Sequence, residues 1–250
     1  MPSTTPSRNQ AERADLTRSR ILDAALHEFS LHGLAGARTD QIASAAGVNK
    51  ALLYYYFESK EKLYIAALER AASSVRDTNM AVFLSDSSPG ERILRTALAH
   101  FDRILSQGAF QRILQQEMVR IKEGESGALP LIVKRVFSPM YAMYQALIRE
   151  GIASGELIDV DWQQIQLVSA GANVFYFLSA PVYRIIHSTD PLAPEALEAR
   201  RKASVEFLGQ ALFVDRARGA VIAARVLADT PIPEMKIDPT TFEVNHERTK

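Results

Sequence analysis

The segment at residues 39–63 constrains the fold of this chain most, because it reads as two short helices joined by a tight turn and followed by the start of a third helix. Ile42 and Ala46 are four residues apart and share the apolar face of the first helix. Gly47 can take the positive φ that a sharp turn needs, and Asn49 is a favourable N-cap for the second helix. The pattern predicts a helix-turn-helix.

The second of these helices has one side to bury and one side to expose. Leu53 and Phe57, four residues apart, form its apolar stripe. At about 100° per residue, the rest of the helix offers side chains that could contact base edges in a major groove, although a direct contact by any one of them stays open. These candidate base readers are Lys50, Ala51, Leu52 and Tyr55. The segment therefore predicts a recognition helix that binds double-stranded DNA.

The same stretch resembles the tetracycline-repressor (TetR) family of bacterial transcription regulators. The resemblance covers roughly residues 17–65 and is specific, because turn, cap, tyrosines and lysine occur together at fixed spacing. Two positions differ from the family, which often has serine where Asn49 stands and glycine or proline where Ala51 stands. The matching residues are Arg20, Ile21, Leu22, Asp23, Ala24, Ala25, Phe29, Gly33, Thr39, Ile42, Ala43, Ala46, Gly47, Val48, Leu53, Tyr54, Tyr56, Phe57, Ser59, Lys60, Glu61 and Leu63.

The resemblance also implies contacts that position the protein on DNA without reading its sequence. It places Tyr54, Tyr56 and Lys60 at phosphates, and Thr39 as the cap of the first short helix beside the DNA backbone. Tyr56 could instead pack in the core, and Lys60 could simply be solvated. Arg18 and Arg20 could contact a phosphate or the neighbouring minor groove, or form a solvated basic turn.

Charge and cysteine content narrow the remaining classes of protein. Lys+Arg and Asp+Glu both number 29, so DNA binding would depend on individual contacts rather than on a diffuse positive field. There is no cysteine, which excludes disulfides and cysteine-ligated zinc. The five histidines lie on separate segments, and there is no HExxH spacing, nucleophile elbow or phosphate-binding glycine loop. We therefore expect no catalytic site, metal or cofactor.

The periodicity predicts an all-α chain with an N-terminal three-helix DNA-binding domain and a C-terminal helical domain for ligand binding and dimerisation. Beyond the motif, the predicted helices are 17–32, 59–83, 88–107, 109–122, 129–153 with a kink at Ser138–Pro139, 161–187 and 195–213, with 219–228 as a further short helix. The predicted domains are a flexible arm at 1–16, a DNA-binding domain at 17–63, a ligand-binding and dimerisation domain at 64–213 and a C-terminal extension at 214–250. The long helix that begins at 59 would link the two domains.

One stretch, Trp162–Tyr183, has the apolar character of a membrane segment and no formal charge. It contains Gln163, Gln166 and Asn173, whose amides would be costly in lipid, so we predict a helix buried inside the protein. The first 20 residues are polar and contain no apolar run typical of a signal peptide. The expected location is the cytoplasm, without a membrane partner.

The second domain is rich in bulky and adaptable side chains at helical spacing, which favours an apolar cavity with a few polar anchors. Any one of these residues could instead be ordinary core. The candidates for ligand binding are Phe101, Ile104, Gln115, Met118, Met140, Tyr141, Tyr144, Asn173, Phe175 and Tyr176, with Glu117 and Tyr183 as further possibilities. They predict a small, mostly apolar effector.

Small residues on the helix at 161–187 and a stripe on the helix at 195–213 favour a four-helix dimer interface. The candidates are Ser169, Gly171, Ala172, Ala203, Phe207 and Ala211, with close packing within one subunit as the alternative. Together with the resemblance, this predicts a homodimeric regulator, by family default a repressor, that an effector releases from a palindromic operator. The competing hypothesis is a helical adaptor that binds a protein partner in an apolar groove and uses its DNA-binding head for localisation.

Overall fold

A computed structural model of the chain describes residues 8–122 and 127–233, and these residues form an all-α fold, as predicted. Within them, extended pairing is limited to an isolated bridge between Leu157 and Phe213. The helices are α1 (Arg8–Gly36), α2 (Thr39–Ala45), α3 (Lys50–Phe57), α4 (Lys60–Phe83), α5 (Pro89–Ser106), α6 (Gly108–Lys122), α7 (Leu129–Ile132), a π-helical turn (Val133–Phe137), α8 (Ser138–Ala153), α9 (Trp162–Leu178), α10 (Ala180–His187), α11 (Pro194–Leu212) and α12 (Arg216–Asp229).

Four helices begin close to the positions that the sequence predicts, and each start has a side-chain cap. Asn49 Oδ1 accepts from Leu52 N at 2.8 Å at the start of α3. Ser59 Oγ accepts from Lys62 N at 3.1 Å, Ser88 Oγ from Glu91 N at 3.3 Å and Asp161 Oδ1 from Gln163 N at 2.9 Å. Each bond satisfies a backbone donor that has no partner within its own helix, so these boundaries are set locally.

The N-terminal region differs from the prediction in two respects. Helix α1 begins at Arg8 rather than at Thr17, so residues 8–16 of the predicted flexible arm are helical. It breaks at Gly33, with φ of +65°, directly after the predicted end. Thr39 is the first residue of α2 rather than its cap, because Arg38 occupies the N-cap position without a side-chain bond.

The predicted helix at 129–153 is interrupted by the π-helical turn at Val133–Phe137. Pro139, at the start of α8, lacks an N–H and cannot continue the ordinary hydrogen-bond ladder, which accounts for a break near the predicted kink. The i→i+5 hydrogen bonds of the π-helical turn let the chain remain helical from α7 into α8 despite the missing N–H of Pro139.

The predicted helix at 161–187 is two helices, α9 and α10, bent by 63°. The bend lies just before Pro181, which has no N–H to continue the helical hydrogen bonds. The carbonyl of Phe175 accepts from both Ser179 N at 2.8 Å and Ser179 Oγ at 2.7 Å. Among the described residues, no single helix is long and apolar enough to cross a membrane, although this bent pair passes that test by length and composition. The prediction that the whole stretch is buried in the chain is wrong: Asn173 and Phe177 are buried, but Leu167 and Phe175 are exposed.

The chain divides into two compact units. Unit 1 comprises Met1–Ser74 and Ala109–Val136, and unit 2 comprises Val75–Gly108 and Phe137–Lys250. Helix α4 contributes residues to both. The core of unit 1 includes Ile21, Leu22, Phe29, Ile42, Leu53, Phe57 and Leu63, all buried.

Unit 2 contains two clusters of buried side chains. The larger one joins α5, α8, α11 and α12 through residues such as Leu94, Ile148 and Ile222. The smaller one includes Phe101, Ile104 and Phe177. Predicted features at residues 1–7, in the loop at 123–126 and in the tail at 234–250 lie outside the described residues.

Candidate functional site

Helix α3 presents a free surface because two residues hold it from the opposite side. Leu53 and Phe57 are buried in unit 1, as their spacing predicts. Tyr55 is 80% exposed, and Lys50 and Ala51 are also exposed, whereas Leu52 is partly buried. An anchored helix with an open polar and apolar face has the geometry of a helix that enters a major groove.

The turn before α3 depends on backbone conformation. Gly47 has φ of +66°, which side chains disfavour, and Val48 N donates to the carbonyl of Ala43 at 2.9 Å. A Cβ at Gly47 would lie 3.7 Å from Arg20 Nη1, so this guanidinium is beside the turn. Arg18 lies over the ring of Phe57, 5.5 Å from its centroid. Both arginines are exposed at the edge of the helix-turn-helix.

The candidate phosphate-contacting residues gather near the starts of α2 and α4. The hydroxyls of Thr39 and Tyr54 are 3.3 Å apart, with Thr39 buried and Tyr54 partly open to solvent. Lys60 Nζ donates to the carbonyl of Ala35 at 3.0 Å, which leaves further protons for another acceptor. Tyr56 is partly buried and packs edge-on against Tyr55, with centroids 5.6 Å apart.

One carboxylate lies among these basic residues. Backbone hydrogen bonding at the start of α2, helped by Arg38, lowers the pKa of Asp40 below its usual value. Asp40 therefore stays charged, 2.8 Å from Arg38 Nη2 and 3.9 Å from Lys50 Nζ. A base contact by Lys50 would have to replace this exposed and weak ion pair.

Unit 2 contains a small cavity of about 50 Å³ between four helices. Helix α4 contributes two lining residues, α5 four, α8 three and α9 three. The lining residues are Asn79, Phe83, Thr96, Ala97, His100, Arg103, Met140, Tyr141, Tyr144, Gln166, Ser169 and Ala170. This volume is below the range of about 300–1,000 Å³ typical of small-molecule sites, so a ligand larger than a few water molecules would require the lining side chains to move apart.

Two buried amides at this cavity have unused acceptors. Asn79 is 2% exposed; its Nδ2 donates to Met140 Sδ at 2.8 Å, while no described residue donates to its Oδ1. Asn173 Nδ2 lies 3.3 Å from the carbonyl oxygen of Ala97 and 3.4 Å from His100 Nδ1, and its Oδ1 also has no donor among the described residues. Such atoms are rare in folded proteins and call for an explanation.

Burial changes the titration of three lining residues. It lowers the pKa of His100 to about 4, with a smaller contribution from the charge of Arg103, so the imidazole is neutral at pH 7. It lowers the pKa of Arg103 to about 10, which leaves the guanidinium charged, and it raises the pKa of Tyr144 to about 12. The cavity therefore holds a cation, a neutral imidazole and a protonated phenol at pH 7.

Comparison with known proteins connects both units to one family. The family model described as "Bacterial regulatory proteins, tetR family" matches residues 21–67, and the one described as "Tetracyclin repressor-like, C-terminal domain" matches residues 89–208. The HTH-type transcriptional regulator RutR of Escherichia coli K12 is 32% identical over 71% of this chain and 81% of RutR. The chain belongs to the TetR family. It is a DNA-binding transcriptional regulator, and α3 is the second helix of its helix-turn-helix.

Two further TetR-family comparisons agree with this assignment. The HTH-type transcriptional repressor NicS of Pseudomonas putida is 38% identical over 109 residues, which cover 43% of this chain and about half, 51%, of NicS. A transcriptional regulator from Saccharomonospora viridis, solved in complex with choline, has a TM-score of 0.62 over 78% of this chain and 97% of that one, with 17% identity. At that identity the structure shows a shared fold alone.

The predicted ligand-binding residues are only partly brought together in this TetR-family chain. Met140, Tyr141 and Tyr144 line the cavity, and Asn173 contacts its wall through His100. Phe101, Ile104 and Tyr176 belong to the smaller core cluster of unit 2 instead.

The remaining ligand-binding candidates lie elsewhere. Phe175 is 64% exposed on α9, and Tyr183 is exposed on α10. Gln115, Glu117 and Met118 are in unit 1. Glu117 is fully buried there, where its carboxylate accepts from Tyr64 Oη at 2.8 Å and from Ala128 N at 2.6 Å.

The candidate dimer residues, by contrast, lie mostly on an open surface of unit 2. Gly171, Ala172, Ala203, Phe207 and Ala211 are exposed, and a Cβ at Gly171 would have no neighbour within 4 Å. Close packing within one subunit therefore does not explain these small residues. Ser169 is different, because it lines the cavity.

Sequence reasoning missed the residues that give the cavity its polar character. Thr96, His100 and Arg103 follow i, i+4, i+7 spacing on α5, which places them on one helix face. This row of polar residues on one face of α5 could have predicted a polar wall of the cavity. Asn79 and Gln166 gave no such signal: Asn79 is an isolated amide of α4, and Gln166 is one of several amides on α9.

Proposed function

We propose that this regulator binds a palindromic operator as a homodimer, with one α3 helix in each of two successive major grooves. The observation that carries the proposal is the exposed face of α3, with Tyr55 at its centre and Leu53 and Phe57 buried behind it. Lys50, Ala51, Leu52 and Tyr55 read bases. Tyr54, Tyr56, Lys60, Arg18, Arg20 and Thr39 set the position on the DNA backbone.

A second copy of the chain covers the open face of α9 and α11. Leu167, Val168 and Phe175 on α9 and Phe207 on α11 are each more than half exposed in a single chain. Exposed apolar side chains grouped on two helices are typical of a protein interface. Two-fold pairing also provides two recognition helices for two half-sites about 34–36 Å apart, which one short helix cannot do alone.

The cavity of unit 2 holds a small effector that changes the equilibrium between DNA-fitting and non-fitting states. The choline complex of the S. viridis regulator supports ligand binding in this fold. Because α4 contributes Asn79 and Phe83 to the cavity and also belongs to unit 1, it is the element that transmits the change. A coupling of about 1–3 kcal/mol would alter operator affinity roughly 5- to 150-fold.

Repression released by the effector, in the cytoplasm where the operator lies, is the mode that we favour, since NicS is named a repressor. Regulation rather than catalysis is proposed for the whole chain. The relatives are named as transcription regulators, which lends no support to the alternative of a protein-binding adaptor.

Selection of DNA fragments by the purified full-length chain tests this function. Sheared DNA from the source genome is incubated with wild type or Tyr55→Ala, and the bound fragments are sequenced. Wild type should enrich a palindrome with half-sites one helical turn apart, and Tyr55→Ala should enrich an altered one. Fragments without a shared motif, or identical motifs for both proteins with circular dichroism unchanged, would contradict the assignment of α3.

A further inference from the structure

We propose that the effector is a compact organic carboxylate that also carries a hydrogen-bond donor. Arg103 binds its carboxylate, and Asn79 accepts from its N–H or O–H group. The proposal rests on the proposed function above, because it names the class of molecule that the cavity of unit 2 binds. It replaces the sequence-based expectation of a mostly apolar effector.

The charge of the cavity selects for an anion. Arg103 is the one Lys or Arg among the lining residues, and that lining contains no Asp or Glu. Among the described residues, no oxygen accepts a hydrogen bond from its guanidinium, and the partial burial of this side chain lowers its pKa. A desolvated charge without a partner is costly, and a carboxylate that binds it in two-pronged fashion would offset that cost.

The nearest carboxylate in sequence is committed elsewhere. Asp102 accepts from Arg201 at 2.8 Å for Nε and 2.9 Å for Nη2, a two-bond pair in which Arg201 is buried. Asp102 is therefore paired with Arg201, and no carboxylate among the described lining residues supplies a counter-charge for Arg103.

His100 offers a second donor one turn before Arg103. Its pKa of about 4 makes it neutral at pH 7, and its Nδ1 accepts from Asn173 Nδ2 at 3.4 Å. The ring proton of a neutral imidazole that accepts at Nδ1 is on Nε2. His100 and Arg103 are three residues apart and line the same wall, so both can donate to one anion.

Asn79 adds the requirement for a donor on the ligand. Its side chain is almost fully buried in the wall, and its Oδ1 has no partner among the described residues. A buried acceptor left without a donor loses its hydration without compensation. A ligand O–H or N–H would restore the bond, and a ligand without one would not.

The rest of the lining limits the size and shape of the ligand. Phe83, Met140, Tyr141 and Tyr144 give one part of the cavity an apolar surface that suits a ring or a short chain. The cavity has a volume of about 50 Å³ in this conformation, below the usual range for ligand sites, so the lining side chains must move apart to admit a ring. Small aromatic acids are compact molecules that combine an apolar ring with a carboxylate and a donor.

Isothermal titration calorimetry without DNA tests the inference. The probes are benzoate, its three hydroxy and three amino ring isomers, and the benzamide that matches each acid but lacks the charge. At least one hydroxy or amino acid should bind more tightly than benzoate, and its matched benzamide should bind roughly 10- to 100-fold more weakly. Equal binding of acids and amides, or no acid binding at millimolar concentration, would overturn it.

Variants assign the contacts. Arg103→Gln should weaken the best acid by roughly 10- to 100-fold. Arg103→Lys keeps the charge but not the two-bond geometry, so it should weaken the acid less than Arg103→Gln does. Arg216→Gln, at an exposed position of α12, serves as the control. Asn79→Leu should reduce the best acid to the affinity of benzoate. If Arg103→Gln binds the best acid as tightly as wild type does, Arg103 does not bind the carboxylate. If Asn79→Leu still binds the best acid more tightly than benzoate, Asn79 does not accept from the ligand's donor.

The two proposals fail in distinguishable ways. An acid that binds by calorimetry but leaves DNA affinity unchanged would count against the proposed effector response and leave this inference standing. If the protein binds DNA selectively but its cavity prefers the amides, the proposed function would stand and this inference would be wrong.

Discussion

The recognition helix of unit 1 and the cavity of unit 2 distribute polar groups in opposite ways. Around α3, buried residues such as Leu53 and Phe57 are apolar, and the polar residues Lys50 and Tyr55 are exposed. Around the cavity, the amide of Asn79 is buried and lacks a partner for one of its atoms. Exposed polar groups cost little before DNA arrives, whereas buried unpaired ones are costly until a ligand arrives.

This difference teaches that the two sites gain specificity from different sources. The DNA face can be built from about 25 consecutive residues, because salt-dependent phosphate contacts and exposed base readers need only an anchored helix. The cavity needs four helices from residues that are far apart in sequence. In the proposal above, it would select a ligand by the polar groups that its wall leaves unsatisfied.

The largest effect should come from breaking the element that both units share. Ala71→Pro in the interior of α4 should remove a backbone hydrogen bond and cost about 3 kcal/mol or more. Urea unfolding followed by circular dichroism measures the loss. Operator titrations with and without effector should then show lost binding or lost response, whereas Ala71→Gly should cost only about 1 kcal/mol. A full effector response in Ala71→Pro would mean that the two sites are not coupled through α4.

The next largest effect concerns the open face of unit 2. Gly171→Arg adds a long charged side chain where a single chain has free space, so each chain should still fold. In a close helix crossing between two copies the same side chain cannot be accommodated, so the dimer should split and operator binding should be lost. Analytical ultracentrifugation at micromolar concentration measures the fraction of dimer. Ala220→Arg, at an exposed position of α12, serves as the control. A monomeric wild type would contradict the interface.

A smaller effect should separate phosphate contacts from exposed charge in general. Lys60→Ala should weaken binding to all DNA sequences similarly and lower the salt slope by about one unit, because one phosphate contact is lost. Lys62→Ala removes a charge two residues away that pairs with Glu58, and it should leave the slope nearly unchanged. Equal slopes in wild type and Lys60→Ala would place Lys60 outside the DNA contact.

The smallest effect should be a pH dependence that belongs to the cavity. The pKa of His100 is lowered from 6.5 to about 4 in the folded chain, so the unfolded chain binds the proton more readily. As pH falls from 6.5 to 4, His100 should therefore reduce the free energy of unfolding, by at most about 1.4 kcal/mol per pH unit. Urea unfolding of His100→Gln should show a shallower decline across this window than wild type. His187→Gln, at an exposed histidine, should follow wild type, and equal slopes for all three would show that His100 is accessible to protons.

Features that depend on neighbours in sequence could be predicted from the sequence alone. Gly47, Asn49 and Leu53 have the conformation, cap bond and burial that the motif indicates, because turn and helix-cap energetics involve residues within one or two helical turns. The same locality explains why the starts at Ser59, Ser88 and Asp161 were predicted correctly.

Only the tertiary structure decided which side chains of unit 2 meet. Phe101 and Tyr176 looked like ligand contacts by composition but pack together in a core cluster, with ring centroids 6.3 Å apart. Arg103 and Asn79 looked unremarkable and became the polar wall of the cavity. The physical reason is that periodicity reports which face of a helix is apolar, whereas the partner of that face depends on how separate helices pack. The sequence determined the family, the helical fold class and the helix-turn-helix, and packing determined which side chains line the cavity.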